Sequence, residues 1–486
     1  MAETAAGVAG RAPGRETGLE PNAIGVVQDT VIGMASSAPA ATVGLTLASL
    51  AATTAYGSGP ILLLTAIPML IIANAYRRLN MWNAHAGASF EWVGRAINPY
   101  LGFLTGWLMV VAYIIGTVSA VEVIGPSLIT VFGGTDTPGK DFAIAAAVGL
   151  VMLVIAIVGI KITARAQIAM GVTEWAILLG FAIAGLVVVL GHHPGTFPIT
   201  SGWFSPTGIG GHGDAVGGFL AAVFVYGGWD GTLYVNEETT RRHINPGRAA
   251  LLAVGLLTVL YVGCQVGLQG VVSPAKLQAN SDSALVYVAH ALGGSGWAKV
   301  MALAIALSVV ATTGTGIVLS ARIVYGMASR RVLPPVLARV SPRFATPVLA
   351  SVICGLLIVG ISGVYLLASS SVQNAFDNVV AVTGLLFSIF YILTALTLVV
   401  YYRRLITRGV RNAVVLGVLP LAAAGFLGWV LVLSLMDAPA SQVESVIGIV
   451  LLGVLLMLVA RFGFRSDFFS VRRESYQPDA AGTVAP

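Results

Sequence analysis

Near its start the chain contains the stretch Val31-Ile32-Gly33-Met34-Ala35-Ser36-Ser37-Ala38-Pro39. It lies in the middle of an apolar run, residues 24–50, that is longer than the ~20 residues a membrane-spanning helix needs. Pro39 cannot donate a backbone hydrogen bond to the carbonyl of Ala35, and its ring crowds that turn. The hydroxyls of Ser36 and Ser37 can bond to the backbone groups that are set free. The stretch therefore predicts a membrane helix interrupted at its centre, with a simple kink as the alternative.

The composition extends this prediction to the whole chain. Of the 486 residues, 57% are hydrophobic and only 9% are charged, whereas soluble domains have about 25% charged residues. The apolar runs are continuous and lack the period-two alternation of membrane β-strands, so they predict helices. Twelve spans are predicted, at residues 24–50, 60–75, 101–128, 142–160, 168–190, 216–235, 249–272, 300–321, 347–367, 379–401, 414–435 and 446–460.

The basic residues support this count. If the N-terminus is cytoplasmic, 23 of the 26 basic residues fall in cytoplasmic segments, and only Lys140, Lys276 and Lys299 do not. Because cytoplasmic loops are enriched in Lys and Arg, we expect both termini to be cytoplasmic and the protein to lie in the cell membrane, surrounded by lipid. The net charge of +6 follows from this topology, so no nucleic-acid partner is expected. Residues 1–22 and 462–486 are predicted to be cytoplasmic tails, flexible over the first twenty residues and loose after Phe469.

The sixth span contains a second interruption, in the stretch Phe224-Val225-Tyr226-Gly227-Gly228-Trp229-Asp230-Gly231. Three glycines each weaken a helix by about 1 kcal/mol relative to alanine, and an aspartate within a span needs a cavity or a partner. Spans 1 and 6 are the first helices of two successive sets of five. Interrupted helices at matching positions are typical of transporters built from inverted repeats. The predicted repeats are residues 23–190 and 191–402, followed by two additional helices within 403–461.

The interruptions would supply binding groups. A broken helix exposes N–H groups at one half and carbonyls at the other, which suit a carboxylate and an ammonium group respectively. A zwitterionic amino acid carries both groups, so it is the predicted small-molecule substrate. The amides of Ala35, Ser36, Ser37 and Ala38 are assigned to the carboxylate. The carbonyls around residues 224–226 are assigned to the amine, and the rings of Phe224 and Tyr226, next to Gly227, are predicted to close over the ligand, with ordinary packing as the alternative. Tyr113 and Thr117, one turn apart on span 3, are predicted to face the substrate, with packing again as the alternative.

Three stretches of the chain, in this order and spacing, resemble a known family. They are 86–93 (AGASFEWV) with 98–107 (NPYLGFLTGW); Gly228-Trp229-Asp230 with Glu237, Glu238 and 245–248 (NPGR); and 320–325 (SARIVY) with Leu333-Pro334 and Thr346-Pro347. Residues 23–401 thereby resemble the amino acid/polyamine/organocation permease superfamily. The resemblance implies an all-α LeuT-type fold of five plus five helices, with helices 1 and 6 discontinuous, that works by alternating access. It also implies that Phe224 is a gating aromatic residue and Asp230 a coupling or gating acid.

Several polar residues in the spans are candidates for ion coupling. Glu174 in span 5 falls where many proton-coupled members have a lysine; it is predicted to carry a proton, unless it pairs with a loop arginine. Thr312 and Thr315, with Ser308, form a polar stripe on span 8, which serves either helix packing or, by the resemblance, a sodium site. At the end of span 6, Glu237 and Glu238 are predicted to form an inner gate or an ion-pair cluster with Arg241 and Arg242.

These patterns predict a secondary active transporter for amino acids or related amines, with proton coupling. A sodium-coupled symporter or an exchanger of the same fold is the alternative. A membrane-embedded enzyme and a channel are the alternatives of a different class, but the sequence has neither a catalytic constellation nor a charged ring on several spans. No catalytic residue, metal ligand or cofactor is predicted.

Overall fold

The computed structural model describes residues 18–54, 57–135, 137–209, 215–280, 283–368 and 372–476, without the side chains of 52, 53, 208, 278, 368 and 372–377. Within these ranges the chain forms seventeen α-helices and one isolated β-bridge, between Ile24 and Thr239. The helices are α1 Val26–Ala35, α2 Pro39–Ala41, α3 Ala48–Thr54, α4 Ser58–Trp82, α5 Ser89–Ala96, α6 Pro99–Phe132, α7 Pro138–Val158, α8 Ile160–Leu190, α9 Ala215–Tyr226, α10 Asn245–Val271, α11 Pro274–Ala279, α12 Ala284–Ser329, α13 Val348–Ala368, α14 Val372–Ile406, α15 Val410–Asn412, α16 Leu419–Asp437 and α17 Ala440–Leu458.

Eleven of the twelve predicted spans are helices that are long and apolar enough to cross a membrane, counted over the described ranges. Two π-helical segments complete the first and eleventh spans: Thr42–Leu47 joins α2 to α3, and Ala413–Val418 joins α15 to α16. Several helices extend beyond their apolar cores. The longest is α12, which is bent at Gly293 and Gly294. The apolar pattern does not reveal the short helices α5 and α11, because neither is long enough to register as a span.

The first span is interrupted as predicted, and it is not a simple kink. Helix α1 ends at Ala35, and α2 begins only at Pro39. Between them, Ala38 has a left-handed backbone conformation with φ 46°. Proline is favoured as the first residue of a helix because it has no N–H to leave unpaired. Pro39 therefore starts the second half of the span.

The sixth predicted span is interrupted as predicted, and it is therefore not among the eleven described helices that are long and apolar enough to cross a membrane. Helix α9 has 12 residues and ends at Tyr226, well short of the ~20 that a full crossing needs. The chain continues through Gly228, with φ 103°, into short 3₁₀ helices at Trp229–Leu233 and Asn236–Glu238. Glycine is suited to this backbone conformation because it has no Cβ.

The longest helices pack closely around these interruptions. At the contact between α6 and α12, Gly316 lies directly against Thr117 and Gly106 against Met327. Small residues allow membrane helices to approach in this way. Helices α16 and α17 lie outside this core and expose large apolar side chains, including Met436 and Leu451.

Both ends of the described chain pack on the same face of the bundle, which we call the terminal face. Leu19 is buried against Ala86 and Tyr325. At the other end, Phe468 and Phe469 are buried, and Tyr476 packs against Tyr402. The stretch predicted to be loose after Phe469 therefore packs against the bundle as far as Tyr476, because Tyr476 contacts the rings of Tyr401 and Tyr402. Residues 1–17 and 477–486 of the predicted tails lie outside the described residues.

The carboxylate of Glu91 links several segments of the terminal face. Glu91 on α5 accepts hydrogen bonds from Arg95 and from Arg330, which follows the end of α12. Arg95 in turn pairs with Glu474 near the chain end, at 2.7 Å. Burial raises the pKa of Glu91, but the positive charges of His85, Arg330 and Arg95 outweigh burial and leave this pKa below its usual value. Glu91 is thus held as an anion between two guanidinium groups.

The aromatic contacts of the C-terminal segment predict that Phe468→Ala destabilises the protein. Phe468 stacks on Phe90, and removing a buried phenylalanine costs about 3–5 kcal/mol. We expect a clearly lower Tm in thermal unfolding of the purified protein in detergent. The matched control is Phe462→Ala, because Phe462 is 72% exposed. Equal Tm values for the two variants would contradict the packed arrangement.

Candidate functional site

The two interruptions bind each other directly. The hydroxyl of Ser36 donates to the carbonyl of Gly228 at 2.5 Å, and that of Ser37 donates to the carbonyl of Gly227 at 2.6 Å. A Cβ at Gly228 would lie 2.7 Å from the carbonyl oxygen of Ser36, so only glycine allows the two backbones to approach this closely. The serines at one break thus pair the carbonyls that the other break sets free.

The amides assigned to the substrate carboxylate already have partners in this conformation. Those of Ser36, Ser37 and Ala38 donate to backbone carbonyls within the same turn, at 3.0, 3.1 and 3.2 Å. Unpaired peptide groups are costly away from water, which explains why the turn closes on itself. A bound carboxylate would have to take over these donors, so the assignment stays a prediction.

A small cavity lies beside the two interruptions. It encloses about 40 Å³, enough for about three waters at roughly 10–15 Å³ each. None of the described side chains that line it is charged. Its lining combines hydroxyls with two phenylalanine rings: Ser36, Ser37, Thr42, Thr117, Ser119 and Thr312, with Phe224 and Phe387.

Most of the predicted binding residues meet at this cavity. Those that line it are Ser36, Ser37, Ala38, Tyr113, Phe224 and Gly227, together with Thr312. The other two lie behind it: the carbonyl of Ala35 accepts the hydroxyl of Thr312 at 2.7 Å, and Tyr226 points away and donates to the carbonyl of Leu62 at 3.2 Å. Phe387 on α14 was not predicted, because its span contains two phenylalanines, Phe387 and Phe390, and no signal that singles out one of them.

Asp230 is fully buried next to the cavity and is surrounded by tyrosines. Its carboxylate accepts hydrogen bonds from Tyr113 on α6 at 2.9 Å and from Tyr391 on α14 at 2.8 Å. Tyr234, one turn further along, is a third donor. Asp230 therefore joins the interrupted sixth segment to two long helices.

Glu174 on α8 binds the start of the second half of span 1. It accepts the amide of Ala40 at 2.8 Å, and the same amide lies 3.1 Å from the hydroxyl of Ser308. Ala40 is in the first turn of α2, where amides lack helical partners and the helix end is partially positive. The second carboxylate oxygen has no partner among the described residues. Glu174 is fully buried, and among the described residues no arginine forms an ion pair with it, so the alternative of a loop arginine finds no support in this conformation.

The polar stripe on α12 is divided between two roles. Ser308 and Thr312 face the first span, through Ala40 and Ala35 respectively. Thr315 instead donates to carbonyls of its own helix, those of Ala311 and Thr312. In this conformation Thr315 therefore contributes only to helix packing.

A family model described as "Amino acid permease" matches residues 28–461. The chain belongs to this amino acid permease family. The match includes both interruptions, the cavity, Glu174 and Asp230. With its long apolar helices, the permease is a multi-pass membrane protein.

Curated relatives of the permease are named as transporters. It is 30% identical over 161 residues to the large neutral amino acids transporter small subunit 2 of Homo sapiens, covering 33% of this chain and 29% of the relative. It is 26% identical over 293 residues to the vacuolar cationic amino acid transporter 4 of Arabidopsis thaliana, covering 56% and 46%. It is 25% identical over 329 residues to the methylthioribose transporter of Bacillus subtilis (strain 168), covering 64% and 68%. The permease thus spans less than half the length of the first two.

Buried polar contacts lie between the cavity and the terminal face. The carboxylate of Glu238 forms a fully buried ion pair with Arg322 on α12, at 3.0 Å, while its backbone carbonyl accepts the amide of Ala23 at 2.7 Å. Glu237 accepts the amide of Ala86 at 3.0 Å. The predicted pairing of these acids with Arg241 and Arg242 is wrong, because those arginines lie exposed beyond the turn.

The contact between the interruptions predicts that Gly228→Ala impairs the permease. The substitution forces alanine into a left-handed conformation and against Ser36, a strain of about 1–3 kcal/mol. We expect lower uptake and a lower Tm. Gly425→Ala in α16 is the control, because a Cβ there meets nothing within 4 Å. Normal uptake by Gly228→Ala would show that the two backbones need not touch.

Proposed function

We propose that this permease is a secondary active transporter for small neutral amino acids or related amines, and that it works by alternating access. The observation that carries the proposal is the cavity at the point where two interrupted helices meet, with Phe224 and Phe387 among its lining residues. Discontinuous helices at matching positions are a feature of inverted-repeat transporters. The names of the three relatives, all transporters, support the same function.

The chemistry of the lining favours an uncharged substrate side chain. Hydroxyl groups and peptide groups can bind the carboxylate and ammonium groups of a zwitterion. None of the described lining side chains carries a charge, and Asp230 is occupied by three tyrosines. A cationic side chain would enter this region without a free counter-charge, which is costly in a water-poor site. The aromatic rings must move to admit a solute, because the cavity is smaller than an amino acid.

We propose that transport alternates around this site. Towards the face opposite the termini, a cavity of about 290 Å³ reaches Leu220 and Ala221, one turn from Phe224. Towards the terminal face, the Asp230–tyrosine cluster and the Glu238–Arg322 pair close the path. The basic residues support a cytoplasmic terminal face, so this conformation corresponds to one closed to the cytoplasm. For the two repeats we propose residues 23–190 and 191–402, followed by two additional helices within 403–461.

The proposed coupling ion is a proton carried by Glu174. A carboxylate with one unpaired oxygen at the start of α2 holds that half-helix most strongly when it is charged. Protonation weakens this attraction and would release the half-helix during the transport cycle. The second candidate is sodium, because the oxygens of Ser308, Thr312 and Ala35 lie together between α12 and the first span.

Counterflow in proteoliposomes tests the function. We expect labelled small neutral amino acids to accumulate in vesicles loaded with the unlabelled compound, and cationic amino acids to compete poorly. Asp230→Ala should abolish uptake, because it removes the acceptor shared by three tyrosines. The control is Glu444→Ala, an exposed acid on α17, and the Tm of both variants establishes that they are folded. Full uptake by a folded Asp230→Ala variant would remove Asp230 from the mechanism.

A separate measurement tests the coupling ion. Glu174→Gln keeps an oxygen for the Ala40 amide but cannot exchange a proton, so we expect uptake that no longer responds to external pH. Glu444→Gln should retain the pH dependence of the unmodified protein. An unchanged pH profile in Glu174→Gln, or uptake driven by a sodium gradient alone, would reject the proton and favour sodium.

A further inference from the structure

One side of the terminal face carries a concentration of arginines, which we call the arginine edge. Four helices, the turn before α10 and the link between α14 and α15 contribute to it. Its members are Arg77 and Arg78 at the end of α4, Arg241, Arg242 and Arg248 around the start of α10, and Arg403, Arg404, Arg408 and Arg411 from the end of α14 into α15. These nine are about a third of the 26 basic residues of the chain.

Contacts between the helices make the arginine edge one continuous surface. Asn80 on α4 donates to the carbonyl of Arg242 at 2.7 Å, and Tyr402 on α14 donates to the carbonyl of Arg78 at 3.4 Å. The stem of Arg77 packs against Gly247 at the start of α10. Arg78 and Arg411 are close enough for their charges to repel each other. The arginines therefore lie side by side rather than scattered over separate loops.

The arginine edge lacks acidic partners over the part of the chain that the structure describes. Among the described residues, no carboxylate lies within 4.0 Å of these nine side chains, whereas Arg95, Arg322 and Arg330 on the same face all have acidic partners. The one side-chain hydrogen bond they make in the described ranges is from Arg77 to Asn74, at 3.3 Å. The Nε of Arg78 is buried and has no acceptor there. A buried donor without a partner is costly, so the Nε of Arg78 is suited to an anionic acceptor from outside the chain.

We propose that the arginine edge binds the head groups of anionic phospholipids. It lies where membrane helices end, which is the level of the lipid phosphates. The planar guanidinium group binds phosphate oxygens through paired hydrogen bonds, and clusters of four to eight basic residues at helix ends are typical of anionic-lipid sites. A phosphate oxygen would also supply the acceptor that the Nε of Arg78 lacks. The edge includes the end of α14, the helix that carries Phe387 and Tyr391.

The test compares two quadruple variants of the purified full-length protein in neutral detergent. One removes four charges from the edge, R403Q/R404Q/R408Q/R411Q. The other removes four exposed charges elsewhere on the terminal face, R339Q/R343Q/R472Q/R473Q. Each protein is titrated with phosphatidylglycerol or phosphatidylcholine, and the change in Tm is measured against the same protein without lipid. A ligand that binds only the folded state raises Tm in this way.

We expect phosphatidylglycerol to raise the Tm of the unmodified protein and of the control variant more than phosphatidylcholine does. The edge variant should lose most of this difference. Equal losses in both variants would mean a diffuse attraction to negative surfaces, and no difference between the lipids in the unmodified protein would mean no anionic-lipid site. The same proteins are also titrated with inorganic phosphate. A rise in Tm with phosphate equal to that with phosphatidylglycerol would identify a free-anion site and overturn the assignment to lipid.

Discussion

The structure depends on one constraint, which is that every peptide group set free by a broken helix inside the bundle must find a new partner. Hydrocarbon offers none. Ser36 and Ser37 meet this requirement by donating to Gly228 and Gly227, so each interruption is stabilised by the other. The cavity lies beside this contact. The same groups that satisfy the backbone are therefore available to a polar solute, if the solute offers equivalent hydrogen bonds.

The two buried acids near the interruptions have different hydrogen-bond donors. Asp230 is surrounded by hydroxyl donors from three tyrosines, which join the sixth segment to α6 and α14. Glu174 instead faces the amide end of a half-helix and keeps one oxygen unpaired. An acid with several fixed donors is suited to holding helices together. An acid with a single donor, at a helix end whose partial charge it complements, is suited to changing its protonation and moving that helix.

Successive layers of contacts separate the cavity from the terminal face. Beyond the tyrosine cluster, the Glu238–Arg322 ion pair is fully buried, and the Glu238 carbonyl also holds Ala23. A buried ion pair is weak evidence for stability, because desolvation offsets much of the attraction. The Glu238–Arg322 pair is better suited to favouring this conformation over another one in which the two side chains separate. The packed segments at both chain ends lie over this layer, so opening towards the terminal face would require several of these contacts to separate.

The sequence by itself determined the class of the protein, most spans and both interruptions. Long apolar runs, a proline preceded by two serines, and three clustered glycines each have local physical consequences that require no knowledge of neighbouring helices. Of the candidates named from the sequence, Phe224 and Tyr113 line the cavity, and Asp230 and Glu174 lie next to the interruptions. Only the tertiary structure decided that Glu238 pairs with Arg322, that Phe387 lines the cavity and Tyr226 does not, and that the C-terminal segment packs. These features depend on which faces of distant helices meet, and a span that is apolar on all sides does not encode that in its own pattern.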